Sequence, residues 1–478
     1  MLKEFALGTP NVLKDEIFGD GAFDDAGNFW RIGCLLERAT GSFVFSVSGP
    51  YRAPFSVRTR SVEEEDFMNG DNKRGVLVLG VGGVGEVVAK GLTRLPAVEA
   101  IIVADLSLSR AEMVAAKLHD SRVRALSVDA RDVEAVYRAI PDDCAIVIHA
   151  GIPRFNLTVM EACLRAGVHY MDMAADGPVE LPGLVTVQRQ IREYHEKFQS
   201  AGLLALLGIG VDPGVTNILA RWASDHLASL DEIVVYDGDN SMLKASYAFA
   251  LPFSPDTSIE ECLQPPLSYL NGSFVTGTAL DTGIEVFDFP DPVGPLTVRS
   301  VSHEEAGTLP VFLPNKELVR CEFKYALPDE YINILRVLKT LGLDSEDAID
   351  INGTKVVPRQ VVTALLPTPT DLAHAFEGTS CVGTWVHGQT YDGDMVEWYL
   401  YTMGTHAASW RDMEANVTVW QAGLPSVIAT ELLFAGDIPE RGALVPEQLN
   451  PEPWIQKLPQ WNMPLFKREL RSTVLKRA

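Results

Sequence analysis

Three glycines in G-x-G-x-x-G spacing, Gly80, Gly82 and Gly85, are the residues whose types and positions point most directly to chemistry. Such glycines allow a tight turn after a strand and let the backbone approach a pyrophosphate that a side chain would block. Asp105 follows about 20 residues later, where a carboxylate accepts hydrogen bonds from ribose hydroxyls. We therefore predict a dinucleotide site in which NAD is favoured over NADP, because Asp105 would repel a 2′-phosphate.

The elements around these residues must position them, and their pattern fits the prediction. The apolar run Val76–Leu79 precedes the glycines, a helical pattern over 86–95 follows them, and a second apolar run, Ala100–Ala104, ends at Asp105. Two alternatives stay open: glycine-rich turns occur without a ligand, and Asp105 could act as a turn or cap residue. Gly83 and Val84 complete the predicted phosphate turn.

Strands and helices alternate from residue 74 to residue 227, which predicts an α/β class fold with a doubly wound parallel sheet of the Rossmann type. Ligands of such sheets lie beyond the carboxyl ends of the strands. That rule brings further predicted strand-end residues to the same rim as Asp105. The cofactor candidates among them are Asp129, Ala150, Gly151, Asp212, Pro213 and Gly214, and the catalytic candidate is Asp172.

Each catalytic candidate has a structural alternative. Asp172 could hold a substrate ammonium group or a ribose, or it could only cap the following turn. His303, followed by Glu304 and Glu305, is the simplest proton-handling group in the chain, unless this is a solvated polar loop. Lys244 could bind a substrate carboxylate, or it could be a surface lysine. Asp212 could equally be an N-cap or turn residue.

The sequence pattern changes after the predicted helix that ends at Leu227, where short strands with few crossover helices predict a mostly antiparallel α+β domain. Residues 1–73 contain a few predicted strands and an acidic linker over 63–72. We predict a tail rich in Pro and Trp, laid on the surface from Ile438 onward. The predicted organisation is an extension 1–73, a dinucleotide domain 74–218, a substrate domain 219–418, a returning helix 419–450 and a tail 451–478.

Composition narrows the partners and the compartment. A formal net charge of −24 argues against nucleic acid and anionic membrane as partners. No apolar run approaches the roughly 18 residues of a membrane helix, and the N-terminus lacks the apolar core of a signal peptide. The six cysteines and nine histidines are scattered without metal-type spacing, so we predict free thiols, no metal and a cytoplasmic location.

Seven segments, in order along residues 74 to 450, together resemble the saccharopine dehydrogenase family, which includes saccharopine reductases, lysine 6-dehydrogenases and carboxynorspermidine dehydrogenases. The segments are VLVLGVGGVGEVVAKGL, MEACLRAGVHYMDMA, LLALLGIGVDPGVTNILARWA, LKASYAFALPFSPDTSIEECLQPPLSYLNG, SVSHEEAGTLP, EFKYALPDEYINILRVLKTLGL and WQAGLPSVIATELLFAGDIPERGALVPEQL.

The resemblance implies a Rossmann domain joined to a substrate and dimerisation domain, with the C-terminal helix packed back on the first domain, in a homodimer. It implies pyridine-nucleotide chemistry at a C–N bond of an amino acid or polyamine-type substrate, by reductive condensation of an amine with a carbonyl or the reverse. An oxidative deaminase of the lysine 6-dehydrogenase type and a non-catalytic nucleotide-binding regulator are the alternatives. The chain departs from saccharopine-forming NADPH enzymes, which usually carry a basic or hydroxyl residue in place of Asp105.

Overall fold

The computed structural model describes residues 73–175, 184–244, 252–314 and 318–470, together with four strands within residues 15–48. The chain divides into two compact units, Met1–Asn72 and Lys73–Ala478. The strands of the first unit form an antiparallel sheet around β3 and are β1 (Asp15–Phe18), β2 (Ala22–Phe23), β3 (Phe29–Glu37) and β4 (Ser42–Ser48). The acidic linker predicted over 63–72 lies outside the described residues.

A seven-stranded, wholly parallel sheet carries the glycine-rich turn. Its central strands are apolar runs that helices cover on both faces, as parallel sheets require. The first six strands are β5 (Gly75–Leu79), β6 (Ala100–Asp105), β7 (Val123–Ser127), β8 (Cys144–His149), β9 (His169–Asp172) and β10 (Leu204–Leu206). They lie in the order β10-β9-β8-β5-β6-β7, which confirms the predicted doubly wound fold.

Helices connect these strands. They are α1 (Gly83–Thr93), α2 (Leu108–Leu118), α3 (Val133–Ala139), α4 (Asn156–Ala166), α5 (Leu184–Ser200) and α6 (Val215–His226), with a 3₁₀ turn at Pro153–Phe155. Helix α1 begins within the glycine-rich turn, earlier than the apolar pattern over 86–95 predicts. Apolar periodicity detects only the part of a helix that packs on the sheet, so it does not detect this first turn.

The second sheet has nine strands and is mixed: β11 pairs in parallel with β17, and its other pairings are antiparallel. This confirms the mostly antiparallel α+β region. The strands from residue 229 onward are β11 (Ser229–Asp239), β12 (Met242–Leu243), β13 (Leu267–Leu270), β14 (Ser273–Thr276), β15 (Glu285–Asp288), β16 (Pro295–Ser300), β17 (Arg320–Tyr325), β18 (Ile349–Ile351), β19 (Thr354–Val356), β20 (Phe376–Glu377), β21 (Thr379–Gln389), β22 (Met395–Thr405), β23 (Gly442–Leu444) and β24 (Leu465–Glu469).

The helices of this region cover the second sheet and return to the first. They are α7 (Pro255–Leu263), α8 (Glu305–Phe312), α9 (Asp329–Leu341), α10 (Pro358–Leu365), α11 (Pro369–Leu372), α12 (His406–Met413), α13 (Val417–Ala435) and α14 (Glu452–Lys457), with 3₁₀ turns at Ala373–Ala375, Pro446–Gln448 and Leu458–Trp461.

The C-terminal region does not lie on the surface, so that prediction is wrong. Strand β23 pairs in parallel with β10 as the seventh strand of the first sheet, and β24 pairs with β22 in the second sheet. Ile438 and Trp454 are buried. A strand of three residues has no readable period, and the prolines around it suggested a loop. Two apolar cores therefore depend on residues beyond 437.

Helix α13 packs on α1 through glycines. A Cβ on Gly91 would lie 2.7 Å from Val427, and one on Gly423 would lie 2.9 Å from Val87. Among the described residues α13 is the one helix long and apolar enough to pass as a membrane span, and 78% of its apolar window is buried inside the structure. That burial is the pattern of a core helix.

Candidate functional site

The glycine-rich turn forms a cradle that a dinucleotide phosphate would fit. Gly80 has φ +90°, and a Cβ there would lie 2.6 Å from Cα of Gly151. A Cβ on Gly85 would lie 2.0 Å from the carbonyl oxygen of Gly80, so both positions need glycine. Among the described residues, Gly82 instead has no heavy atom within 4 Å of an added Cβ, and no side chain caps the first turn of α1. Amide groups there can meet a phosphate.

A groove of about 1550 Å³ leads from this turn along the rim, and we call it the cofactor groove. Asp105 lies in it. Its carboxylate accepts hydrogen bonds from the N–H of Val81 at 3.1 Å and of Ser107 at 2.9 Å. Asp105 therefore fixes the turn, and a carboxylate with two bonded oxygens still has lone pairs for ribose hydroxyls.

Asp129 and Gly151 line the same cofactor groove. Asp129 is paired with Arg131 at 2.7 Å, and hydrogen bonds from Arg131 lower the pKa of this exposed carboxyl to about 2. Asp105 and Asp129 thus line this groove together with Asp256, Glu346 and the arginines Arg131, Arg154 and Arg359.

A second cleft, of about 1000 Å³, adjoins the cofactor groove, and we call it the inner cleft. His149 and Gly151 line both spaces. The inner cleft lies between the rim of the parallel sheet and the second sheet. Rim residues that line it include Val84, Ala150, Met173, Val211 and Asp212; residues from the opposite side include Asp237, Glu261, Val301, His303, Phe323 and Tyr325. A nicotinamide ring at the end of β8 would face this space.

Partly buried acids dominate the inner cleft. Burial, with the negative charge of Asp237 nearby, raises the pKa of Asp212 well above its usual range. Burial and the charge of Asp239 raise the pKa of Asp237 to about 8, and burial raises that of Glu261 to about 8. Among the described residues that line this cleft there is no lysine or arginine. A bound cation would supply the missing positive charge.

His303 is the cationic side chain at this cleft. Burial alone would lower its pKa, but the ion pair and hydrogen bond between its Nδ1 atom and Glu305 raise the pKa well above the usual value. The imidazole stacks on Phe323, with ring centroids 3.8 Å apart. The alternative of a solvated loop is wrong, since His303, Glu304 and Glu305 are all buried.

Glu304 and Glu305 have separate partners. Glu304 accepts a hydrogen bond from the N–H of Ala175 at 2.6 Å, and Glu305 accepts one from the hydroxyl of Thr216 at 2.8 Å. Ligating atoms of His303, Glu304 and Glu305 lie close enough to hold a metal ion, and the absence of a metal stays a prediction.

Asp172 is placed behind the cleft rather than in it. Its carboxylate accepts from the N–H of Gly208 at 2.6 Å and from Tyr170, Asn156 and Gln190 at 2.9, 3.0 and 3.0 Å. Burial raises its pKa to about 7 despite these four donors. This geometry matches the structural alternative, since every donor is a protein group.

Lys244 is not brought to the cleft. Its side chain is 62% exposed and forms an ion pair with Glu377, which is the surface-lysine alternative. Pro213 and Gly214 shape the turn before α6: the carbonyl of Pro213 accepts from the N–H of Gly210 at 2.7 Å, and Gly214 has φ +135°. Asp212 projects from this turn into the inner cleft.

Sequence reasoning missed Asp237 and Glu261 and undervalued His149. Asp237 ends an apolar run, EIVVYD, and Glu261 lies on helix α7 between the buried residues Ile259 and Cys262 in the sequence. A carboxylate inside a buried pattern was the available signal. A carboxylate in such a pattern could not be assigned to a site from the sequence, because the sequence does not show that strand β11 and helix α7 converge on the rim.

The chain matches two family models. The Saccharopine dehydrogenase NADP binding domain matches residues 76–206, and the Saccharopine dehydrogenase C-terminal domain matches residues 210–462. A carboxynorspermidine synthase from Vibrio cholerae serotype O1 is 32% identical over 407 residues, covering 80% of this chain and 94% of that protein. A carboxyaminopropylagmatine dehydrogenase from Synechocystis sp. is 30% identical over 392 residues, covering 81% and 96%.

Two solved structures share the fold. The apo saccharopine dehydrogenase (L-Glu forming) from Saccharomyces cerevisiae has a TM-score of 0.61 at 16% identity, covering 83% of this chain and all of that chain. The homospermidine synthase from Legionella pneumophila, solved in complex with NAD, has a TM-score of 0.62 at 14% identity, covering 85% and 93%. At these identities the likeness concerns the fold alone.

Proposed function

The chain belongs to the saccharopine dehydrogenase family, and from this premise we propose that it reduces the C=N bond formed between a polyamine-type amine and an aldehyde that carries an amino acid group. The broader class is established by the family and its relatives: the chain is an NAD(P)-dependent oxidoreductase that acts on amines. This confirms the activity class inferred from the motifs. The same relatives argue against the alternative of a non-catalytic nucleotide-binding regulator.

The single observation that carries the proposal is the inner cleft, whose described lining has three partly buried acids, Asp212, Asp237 and Glu261, and no lysine or arginine. A substrate with one ammonium group would leave some of these acids without a countercharge. A diamine or longer polyamine could neutralise two or three. The names of the two sequence relatives, carboxynorspermidine synthase and carboxyaminopropylagmatine dehydrogenase, also denote carboxyl-bearing polyamines.

Different residues of the inner cleft would bind the substrate and transfer the proton. Asp212, Asp237 and Glu261 would hold the ammonium groups that do not react, so that the reacting amine lies toward the rim. His303, kept protonated by Glu305, would give a proton to the departing hydroxyl when water leaves the amine–aldehyde adduct and the C=N bond forms. The dinucleotide supplies the hydride that converts C=N to C–N. Met173, Val211 and Phe323 line the cleft and limit the access of water.

A cofactor-oxidation screen tests the proposal. Purified protein with NADH or NADPH is given 1,3-diaminopropane, putrescine, agmatine or lysine, with and without a short aldehyde that carries an amino acid group. We expect oxidation only when a polyamine-type amine and the aldehyde are both present, with a carboxylated secondary amine detected by mass spectrometry. Reduction of NAD by lysine alone, with release of ammonia, would establish the lysine 6-dehydrogenase alternative instead.

Two substitutions refine this screen. Asp237→Asn and Glu261→Gln each replace a carboxyl group, which would ionise when an ammonium group binds, by an amide of the same shape. Each should raise KM for the diamine by about tenfold or more, since charge-assisted contacts contribute about 1.5–3 kcal/mol. KM for the cofactor should stay within about twofold. An unchanged KM for the diamine in both variants would show that the inner cleft does not bind the diamine.

We also propose preference for NAD over NADP, action in the cytoplasm, and a homodimeric state. Asp105 in the cofactor groove supports the first, since its charge opposes a 2′-phosphate. The five described cysteines are free and buried, which supports a reducing compartment. Dinucleotide titrations, localisation of a tagged chain and light scattering of the purified protein test the three statements separately.

A further inference from the structure

The last residue of β8, His149, has a buried ring nitrogen with no partner among the described residues. This atom, Nε2, makes no hydrogen bond within the part of the chain that the structure describes, and the side chain is 2% exposed. Buried polar atoms are nearly always bonded, so an unsatisfied one needs an explanation. His149 lines both the cofactor groove and the inner cleft, at the place where the two spaces meet.

The hydrogen bonds of Asn156 determine which nitrogen of His149 carries the proton. The amide nitrogen of Asn156 donates to a carboxylate oxygen of Asp172 at 3.0 Å and to the carbonyl of Ala174 at 2.8 Å. With both of its N–H groups used on acceptors, Asn156 turns its amide oxygen toward Nδ1 of His149, at 2.9 Å. Nδ1 must therefore donate, and Nε2 is left as a bare acceptor.

Asp172 does not contact the ligand and acts on His149 through Asn156. Because it accepts from Asn156, it prevents the amide from rotating by half a turn, which would place the carbonyl of Asn156 against a carboxylate and another carbonyl. The donors from Tyr170 and Gln190 hold Asp172 itself. The hydrogen bonds from Asp172 through Asn156 thus fix both the orientation and the tautomer of the His149 ring at the rim. Asp172 is therefore a positioning residue.

The location of Nε2 defines its ligand. It lies beside Gly151, where an added Cβ would be 2.8 Å from the nitrogen, and Gly151 in turn contacts Gly80 of the phosphate turn. Beyond the phosphates along this rim comes the nicotinamide nucleoside half of a bound dinucleotide. That half carries O–H donors on its ribose and N–H donors on its carboxamide, and a bare acceptor fits either.

We propose that Nε2 of His149 accepts a hydrogen bond from the nicotinamide nucleoside half of the cofactor, in a tautomer fixed by Asn156 and Asp172. The residue then orients the nicotinamide toward the inner cleft. This role needs only dinucleotide binding and is independent of which amine is the substrate. An acceptor of fixed tautomer also favours donors over acceptors at the same place, so it discriminates between dinucleotide analogues.

Binding measurements with His149→Phe test the proposal, because phenylalanine keeps a planar ring and removes the acceptor. We expect the Kd of NADH to rise about tenfold and the Kd of ADP, which lacks the nicotinamide nucleoside, to stay within about twofold. His149→Gln, which can present a carbonyl oxygen, should recover part of the loss. Unchanged NADH binding, or an equal loss for ADP, would overturn the proposal.

Two analogues distinguish the ribose from the carboxamide as the donor. 3-Acetylpyridine adenine dinucleotide keeps the ribose and lacks the carboxamide N–H, so a loss in His149→Phe that persists with this analogue assigns the ribose. A loss that disappears assigns the carboxamide. His406→Phe is the matched control: His406 is also buried, but both of its ring nitrogens are bonded, to Ser241 and to the N–H of Val417. It should leave the ratio of NADH to ADP affinity unchanged.

A spectroscopic readout on the unmodified chain covers the case in which the variants do not fold. With ¹⁵N-labelled histidine, one ring nitrogen of His149 should give the chemical shift of an unprotonated imidazole nitrogen near neutral pH. That signal should move upfield when NADH binds and should not move when ADP binds. A protonated Nε2, or no shift with NADH, would contradict the proposed contact.

Discussion

His303 and Glu305 form an ion pair in the interior of the chain, between Nδ1 of the imidazole and a carboxylate oxygen. Both side chains are buried, and Glu305 is held from its other side by the hydroxyl of Thr216 at 2.8 Å. Within the acidic inner cleft this pair keeps one proton donor charged at a pH where an isolated buried imidazole would be neutral. The pH dependence of the reaction should follow from it.

Replacing Glu305 by glutamine should lower the pH above which the enzyme loses activity. Without the carboxylate, burial lowers the pKa of His303, so its acidic form is lost earlier as the pH rises. We expect the alkaline limb of the kcat/KM profile to move down by at least about one pH unit. Glu447→Gln is the control, because Glu447 is another buried carboxylate that bonds Asn217 rather than His303. A limb that stays in place in Glu305→Gln would exclude His303 as the proton donor.

The stability of the cofactor-free protein should fall between about pH 5 and pH 8. Asp237 and Glu261 have folded pKa values of about 8, above their unfolded values, so the folded state holds protons that the unfolded state has released. Each group then lowers the free energy of unfolding by up to about 1.4 kcal/mol per pH unit within that window. The raised pKa of His303 acts in the same direction, since the stability from its ion pair is lost as the pH rises through the folded pKa.

Urea denaturation at several pH values measures this slope. Asp237→Asn should flatten it and should make the apo protein more stable at pH 8 than the unmodified chain. Asp288→Asn, which changes a carboxylate whose side chain is 73% exposed, should leave the slope unchanged. A free energy of unfolding that rises over this range in the unmodified chain would show that these acids are ionised in the folded state.

The glycine-rich turn offers a matched pair of substitutions. Gly85→Ala should destabilise the fold by about 3 kcal/mol, because its Cβ would meet a backbone oxygen 2.0 Å away. Gly82→Ala faces open space, so the free energy of unfolding should change by less than about 0.5 kcal/mol while dinucleotide affinity falls about 100-fold. Calorimetric titration and thermal denaturation separate the two effects. Normal NADH binding in Gly82→Ala would place the phosphates elsewhere.

Asp105→Ser should move cofactor selectivity toward NADP. Removing the carboxylate removes the repulsion of a 2′-phosphate, and the hydroxyl can still accept from the N–H of Ser107. We expect the ratio of kcat/KM for NADPH over NADH to rise at least about tenfold. Asp120→Asn, a change at a carboxylate paired with Arg122 away from the groove, should not alter the ratio. Unchanged selectivity in Asp105→Ser would mean that the ribose does not lie beside Asp105.

The parallel sheet and its rim could be predicted because local patterns encode them: apolar runs form strands, glycines form the turn, and strand ends converge on one edge. Local patterns do not specify which distant segments meet at that edge. Asp237 and Glu261 reach the rim only through packing of β11 and α7, so no spacing rule identified them. Asp172 had the right position in the strand, but its neighbours Asn156, Gln190 and Tyr170 bind its carboxylate, a fact that only the tertiary structure contains.

The measurement that tests the central claim most directly follows the hydride. The enzyme is given a polyamine-type amine, an aldehyde that carries an amino acid group, and NADH or NADPH labelled with deuterium at the transferable position of the nicotinamide. We predict a secondary amine one mass unit heavier, with the deuterium on the carbon that forms the new bond to nitrogen. An unlabelled secondary amine, or deuterium found only in an alcohol made from the aldehyde, would contradict it.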